Sequence, residues 1–295
     1  MKILNFGSLN IDHVYQVDHF VRAGETLASS GYARHMGGKG FNQSIALARA
    51  GAAVYHAGCV GEDGDFMRAY LREAGVNVAF LRTVDGPTGH AMIQVEPSGE
   101  NCILLFGGAN QRIEAAQIRE TLAHFAAGDI LLLQNEISGL PALLEEGAKR
   151  GLRIAINPAP MDAGIVAADL SEVRWLIVNE GEGAALSGAK NAQDVLDALR
   201  EKYPHAAVVL TLGEKGAYYQ DENETCFVEA FHAGEAVDTT GAGDTFTGYF
   251  LAGIAAGASA KRAMEIAARA SGIAVTRAGA AQSIPPMAEV SPMGF

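Results

Sequence analysis

Cysteine is scarce in this chain: three residues in 295, Cys59, Cys102 and Cys226, lie far apart. No CxxC pair exists among them, so neither a zinc knuckle nor a disulfide framework is indicated. Free thiols fit a reducing compartment, and the expected location is the cytoplasm. Basic charge is also short. Lys and Arg number 22 against 34 Asp and Glu, a formal charge of −12. Nucleic acids and anionic membranes need basic surfaces, so neither is expected as a partner. No apolar run approaches the roughly 20 residues that a membrane helix requires. The N-terminal stretch MKILNFGSLNID turns polar too early for a signal peptide. Eight histidines are scattered without an HxH or HxxxH pair and read as structural or surface residues. Two nucleotide fingerprints are missing as well. There is no GxxxxGK[ST] loop and no GxGxxG after the first strand, which removes a Walker P-loop and argues against a dinucleotide oxidoreductase.

What remains is rich in core and turns. The chain is 49% hydrophobic and 19% charged, with 35 glycines, as in a soluble globular protein. Its length suits one large domain or two modest ones, and no linker or repeat divides it. KILNFGS at 2–8 reads as a buried first strand. A strand at 53–61, a helix at 65–74 and VNVAFLR follow. AMIQVEPSGENCILLF at 91–106 reads as a hairpin around Pro-Ser-Gly. A regular alternation then sets in: helix 114–126, strand 129–134, helix 139–150 and strand 153–157. Strand 175–179, helix 191–202 and strand 206–212 continue it. Two helices near 243–256 and 260–276 close the chain, the second with Ala263, Ile266, Ala267, Ala270 and Ala274 on one stripe. Only the tail PPMAEVSPMGF reads as loose. Nearly continuous apolar strands alternating with helices imply a mainly parallel sheet covered on both faces. Segments 10–36 and 88–107 break the rhythm and are candidates for a small accessory sheet. Ligands of such folds sit at the C-terminal strand ends, here GSLNID, LLQNEI, INPAP, IVNEGE and TLGEKG.

VDTTGAGDTFTGYF at 237–250 carries the strongest chemistry. Gly241, Ala242 and Gly243 precede a helix, so their amides can form an anion site at its positive end. Asp244 would repel the same phosphate unless the two meet different partners. The amides then hold charge on a transferring phosphoryl group, while the carboxylate takes the proton of an incoming hydroxyl. The plainer role for Asp244 is a first-turn helix charge. A second glycine cluster, HMGGKGFNQSIALARAG at 35–51, opens another helix. There Gly37 and Gly38 offer a hinge, and Lys39 and Asn42 offer hydrogen bonds to hydroxyls. The plainer readings are a turn and a solvated charge.

Together, DTTGAGDTFTGYF and GGKGFNQSIALARAG resemble the two signature regions of the ribokinase-like sugar kinases, the PfkB carbohydrate kinase family. The likeness runs over nearly the whole chain, through GSLNIDH, GET, INPAP, NEGE, TLGEKG and VTRAGAAQSIP. It implies a single domain over 1–295: a three-layer α/β sandwich with a mainly parallel central sheet and a small β-sheet lid. It also implies transfer of phosphate from ATP to a hydroxymethyl group. By this resemblance Asp244 is the general base, and the amides of Gly241, Ala242 and Gly243 are the anion hole. Asn179 and Glu182 match the motif that organises Mg²⁺ through water. Thr211, Gly213 and Gly216 match the nucleotide loop, with Gly243, Asn179 and Ala268 near the nucleotide. Asp238, Thr240 and Ser283, with carbonyls from Val275 to Gly279, match a site for a monovalent cation such as K⁺.

Asn10 and Asp12 match the sugar-binding pair after the first strand, and Gly38, Lys39, Asn42 and Glu136 match the rest of that site. Such a density of polar groups suits a pentose, whose buried hydroxyls each need a partner. SLNID, GET, NQS and Glu136 favour D-ribose, phosphorylated on its primary 5-hydroxyl. A nucleoside, a ketohexose such as fructose, 2-keto-3-deoxygluconate and a phosphosugar stand behind it. A non-catalytic sugar sensor is the alternative of a different class. Met36, Phe41 and Ala268 depart from the family pattern, where a proline, an alanine and a larger polar residue are usual. The lid is expected to pair two copies, since an exposed apolar sheet is otherwise a liability.

Overall fold

The computed structural model describes residues 1–295. Strands are β1 (Ile3–Phe6), β2 (Asn10–Gln16), β3 (Gly31–Gly37), β4 (Val54–Val60), β5 (Asn77–Thr83), β6 (Gly89–Val95) and β7 (Asn101–Phe106) in the first part of the chain. They continue as β8 (Ile130–Gln134), β9 (Arg153–Asn157), β10 (Val173–Asn179), β11 (Ala207–Thr211), β12 (Ala217–Gln220) and β13 (Thr225–Val228). Helices are α1 (Lys39–Arg49), α2 (Asp65–Glu73), α3 (Ala115–Leu122), α4 (Leu140–Lys149) and α5 (Ala163–Val166). The remaining five are α6 (Glu180–Ser187), α7 (Ala192–Lys202), α8 (Ala242–Ala255), α9 (Ala260–Ala274) and α10 (Met287–Val290). No helix is long and apolar enough to cross a membrane.

The large sheet runs β13-β12-β11-β10-β9-β8-β1-β4-β5. All neighbours from β11 to β5 pair in parallel, and β12 and β13 add an antiparallel edge. The apolar runs explain the burial: ILLLQ of β8 is covered on both faces by helices and has no exposed residue. One apolar core lies under α1, α2, α8 and α9, the other under α3, α4, α6 and α7. The chain leaves β1 for β4 on one side and later fills the other side with β8. That reversal opens a crevice at the C-terminal ends of β1 and β8.

Segments 10–37 and 89–106 form a separate four-stranded sheet, β3-β2-β6-β7, as the broken rhythm predicted. It rises directly out of the crevice, because only three residues separate the end of β1 from the start of β2. The tail is not loose. Residues 287–290 form α10, Val290 is buried and Phe295 packs on the core. The Tyr249 hydroxyl of α8 also donates to the Pro285 carbonyl, which fixes the entry to this tail.

Two departures from the family pattern have structural outcomes. Phe41 is fully buried on the core side of α1, 5.8 Å from the Tyr70 ring, so it is packing and not part of a pocket wall. Met36 packs against the same core.

Candidate active site

The site is built where α1 and α8 cross. Gly248 makes the crossing close: a Cβ there would lie 2.3 Å from Ala46 Cβ and 2.9 Å from the Leu47 amide. The contact brings the first turns of both helices together. Asp244 in α8 accepts from Asn42 Nδ2 at 2.9 Å and from Gln43 Nε2 at 2.8 Å. Each carboxylate oxygen thus has one amide donor. Asn42 Oδ1 is buried without a partner in the chain, an acceptor left for a hydroxyl.

Gly241 caps α8 with φ of 75°, a left-handed conformation that other residues rarely adopt. The three amides of the glycine loop are not equivalent. Ala242 N donates to the Thr239 carbonyl at 3.2 Å, and the residue lines a second, larger cleft. The amides of Gly241 and Gly243 have no acceptor in the chain, and both residues line a cleft of about 190 Å³ with Asp244. The free amides of the loop are therefore those of Gly241 and Gly243, with Ala242 committed to the turn.

Polar groups converge on the other side of Asp244. Glu136 follows β8; it accepts from the Lys39 amide at 2.9 Å and from the Ser8 hydroxyl. Asn10 opens β2, and its Oδ1 accepts from Asn110 Nδ2 at 2.8 Å. Gly38 is the N-cap of α1 and packs on the backbone at Asn10. Asp12 lies over Gly37, where a Cβ would fall 2.0 Å from its Oδ2. Burial, and then the facing Glu136, raises the Asp12 carboxyl from 3.8 to about 7. Burial also raises Glu136, against the pull of Ser8 and the Lys39 amide. Two carboxylates desolvated and facing one another have lone pairs to offer to hydroxyl donors.

Lys39 lines the 190 Å³ cleft opposite Asp244. Burial works against its charge, yet Asp244, Glu136 and Glu182 together hold the ammonium above its usual range. None of the ion pairs of the chain uses it, so its three donors remain open. Asn179 and Glu182 start α6 as a reciprocal capping box. Glu182 N donates to Asn179 Oδ1 at 2.8 Å, and Asn179 N donates to Glu182 Oε2 at 3.0 Å. Asn157 Nδ2 adds a contact at 3.3 Å. Burial raises the Glu182 carboxyl, and these amides and Lys39 offset part of that. A carboxylate gripped by amides at both oxygens has lone pairs left for water and little freedom to swing onto a metal, which fits an outer-sphere role.

A larger cleft of about 480 Å³ opens beside the first and shares Thr211 and Gly243 with it. Gly213, Gly216 and Ala268, matched by the resemblance to the nucleotide site, line it. Its walls also include Phe231, Gly234, Ser271 and Gly272, which the sequence reading missed. Residues 229–236 have no periodic pattern, and only the short glycine context hinted at a loop.

The residues matched to a monovalent-cation site form a tied double loop. Asp238 accepts from Thr240 N and Gly279 N, each at 2.9 Å. The buried Ser283 hydroxyl donates to the Ala280 carbonyl at 2.7 Å. The Val275 carbonyl already accepts from Val237 N at 2.8 Å and Asp238 N at 3.1 Å. Both its lone pairs are used within the chain, so Val275 serves as a loop tie.

Residues 1–287 match the family model described as pfkB family carbohydrate kinase. A ribokinase of Schizosaccharomyces pombe is 38% identical over 310 aligned residues, 98% of this chain and 96% of that protein. The crystal structure of a Cryptococcus neoformans ribokinase in complex with ADP is 34% identical and superposes with a TM-score of 0.89, over 99% of both chains. The Arabidopsis thaliana ribokinase complexed with ribose and ATP is 28% identical, with a TM-score of 0.87 over 99% of this chain and 97% of that one.

Proposed function

This chain belongs to the pfkB family of carbohydrate kinases, and we propose that it transfers the γ-phosphoryl group of ATP to the primary 5-hydroxyl of D-ribose, releasing ribose 5-phosphate and ADP. One observation carries the reading. Asp244, with one amide donor on each oxygen, lines the smaller cleft together with the free amides of Gly241 and Gly243, where that cleft meets the larger one. A base, an anion site and two adjoining chambers are what in-line transfer between two bound substrates needs.

ATP occupies the 480 Å³ cleft, with its phosphates directed past Thr211 and Gly243 toward Lys39. Ribose occupies the space bounded by Asn10, Asp12, Gly38, Asn42 and Glu136. Asp244 accepts the proton of the 5-hydroxyl as its oxygen bonds to the γ-phosphorus. The bond from that phosphorus to the β,γ-bridging oxygen breaks, and ADP keeps the electron pair. The amides of Gly241 and Gly243, with the Lys39 ammonium, offset charge on the moving phosphoryl group.

Magnesium bound with the nucleotide neutralises phosphate charge, and Asn179 and Glu182 are the residues that would hold its water ligands. Asp238, Thr240, Gly279 and Ser283 would hold a monovalent cation such as K⁺ and stiffen the loop before α8. Residues 1–295 act as one catalytic unit. The lid of residues 10–36 and 88–107 closes over the sugar and excludes water, which would otherwise accept the phosphate. The lid also pairs two copies: Ile103, Leu104, Leu105 and Phe106 of edge strand β7 are all exposed. We place the protein in the cytoplasm, where its three unpaired cysteines stay reduced and ATP is at hand.

Heteronuclear ¹H–³¹P correlation on the product of D-ribose and MgATP tests the reaction. Coupling of phosphorus to the two C5 protons is expected. Coupling to the anomeric proton, or no phosphosugar at all, would refute it.

A further inference from the structure

From Asp244 a file of buried polar side chains runs into the interior, with only Asn157 of its contacts lining the smaller cleft. Gln43 is fully buried; besides its bond to Asp244 Oδ1, its Nε2 lies 3.3 Å from Asn157 Oδ1. Gln43 Oε1 accepts from Gln134 Nε2 at 2.6 Å. Gln134 Nε2 also donates to Asn5 Oδ1 at 3.0 Å. Asn5 spends its own Nδ2 on the Gly40 carbonyl at 2.7 Å and on Ser44 Oγ at 2.8 Å. Ser44 Oγ in turn forms a hydrogen bond with Nδ1 of His56, 2.8 Å away. Burial lowers His56 to about 4, so this far end of the file stays neutral.

The file leaves Gln43 only one orientation. Flipping its amide would set its oxygen against the Asp244 carboxylate and its NH₂ against that of Gln134. The donors of Gln134 and Gln43 therefore point in series at Asp244, each bond polarising the next. Polar groups this deeply buried are costly, and Gln134 Oε1 and His56 Nε2 have no partner in the chain, so an apolar side chain at position 43 would pack at less cost. The sequence shows why the geometry is reached: Gln134 and Asn5 sit on one face of neighbouring parallel strands, two residues apart in register.

We propose that Gln43, held by Gln134, is a positioning residue that fixes the Asp244 carboxylate for proton abstraction without touching either substrate. The proposal rests on Asp244 being the base, and the test separates the two claims. Gln43→Met keeps length and removes the donor; Gln43→Leu removes the donor with a shorter apolar side chain. Steady-state kinetics on D-ribose and MgATP are measured for both, for Asp244→Asn and for the double variant Gln43→Met/Asp244→Asn, with calorimetric ribose binding as the check on a native site. Expected is a loss in kcat of about 10- to 100-fold for either Gln43 variant, as for other outer-shell partners, with KM little changed. In the Asp244→Asn background Gln43→Met should add almost nothing, because the residue acts through that carboxylate. Near-normal kcat in the Gln43 variants alongside a slow Asp244→Asn would overturn the positioning role alone. So would an equal loss in both backgrounds, or a rise in KM at constant kcat. Normal turnover by Asp244→Asn would take down the base and the positioning role together.

Discussion

Asn42 Nδ2 donates to Asp244 Oδ2 at 2.9 Å, joining residues 202 positions apart in the chain. The bond ties the first turn of α1 to the first turn of α8 and holds one oxygen of the Asp244 carboxylate. Asp244→Asn conserves the shape of the side chain and removes its capacity to take a proton. Turnover should fall about 10²- to 10⁴-fold, the usual span of a general-base contribution. Ribose affinity by calorimetry should change far less. A variant with near-normal kcat would remove Asp244 from proton transfer.

If Asp12 binds the sugar as proposed, ribose affinity should depend on pH. Its carboxyl is raised to about 7 by burial and by Glu136, so at pH 6 most of it is protonated. Sugar hydroxyls donate best to the ionised form and should lower its pKa in the complex. By linkage, ribose affinity rises with pH between the bound and free pKa values and levels off above about 7. Asp12→Asn should weaken binding of ribose more than of ATP and flatten this limb. A wild-type affinity that is constant from pH 5.5 to pH 8 would contradict the assignment.

Gly248 sets the distance between the two catalytic helices. An added methyl would meet Ala46 Cβ at 2.3 Å, and neither helix backbone can yield without moving the other. Gly248→Ala should cost about 1–3 kcal/mol of stability, the usual size of overpacking. It should also lower kcat by lengthening the Asn42 and Gln43 bonds to Asp244. Thermal unfolding and steady-state kinetics read both effects. An unchanged melting temperature would show that the crossing is looser than described.

The apolar face of the lid predicts association. Leu104 is 72% exposed in the single chain, beside Ile103, Leu105 and Phe106. Leu104→Lys should shift the mass seen by light scattering from dimer to monomer at micromolar concentration. A parent protein that is already monomeric there would dismiss the lid as the interface.

Much of this site can be read in the sequence where the chemistry is local. GAGD before an apolar helix sets free loop amides beside a carboxylate, and the spacing of Asn179 and Glu182 is that of a capping box. Other parts are hidden for physical reasons. Gln134 ends an apolar strand and Gln43 sits in a helix that is buried nearly all round, so neither position shows that its partner is another buried amide. Helix α6 escaped notice because EGEGAALS has two glycines and buries only Gly183 and Leu186. The tail looked loose because its prolines mask the two anchors, Val290 and Phe295, that hold it to the core. The unequal roles of the Gly241, Ala242 and Gly243 amides depend on where the Thr239 carbonyl points, which is backbone geometry with no side-chain signature.

The most direct measurement is kcat/KM in a coupled ADP-release assay with MgATP, with and without K⁺. D-ribose is compared with fructose, fructose 6-phosphate, adenosine and 2-keto-3-deoxygluconate. A polar site of Asn10, Asp12, Lys39, Asn42 and Glu136 should favour ribose over each of the others by a large ratio, because a ligand lacking matched hydroxyls leaves buried groups unpaired. Preference for any other acceptor in that panel would contradict ribose as the substrate.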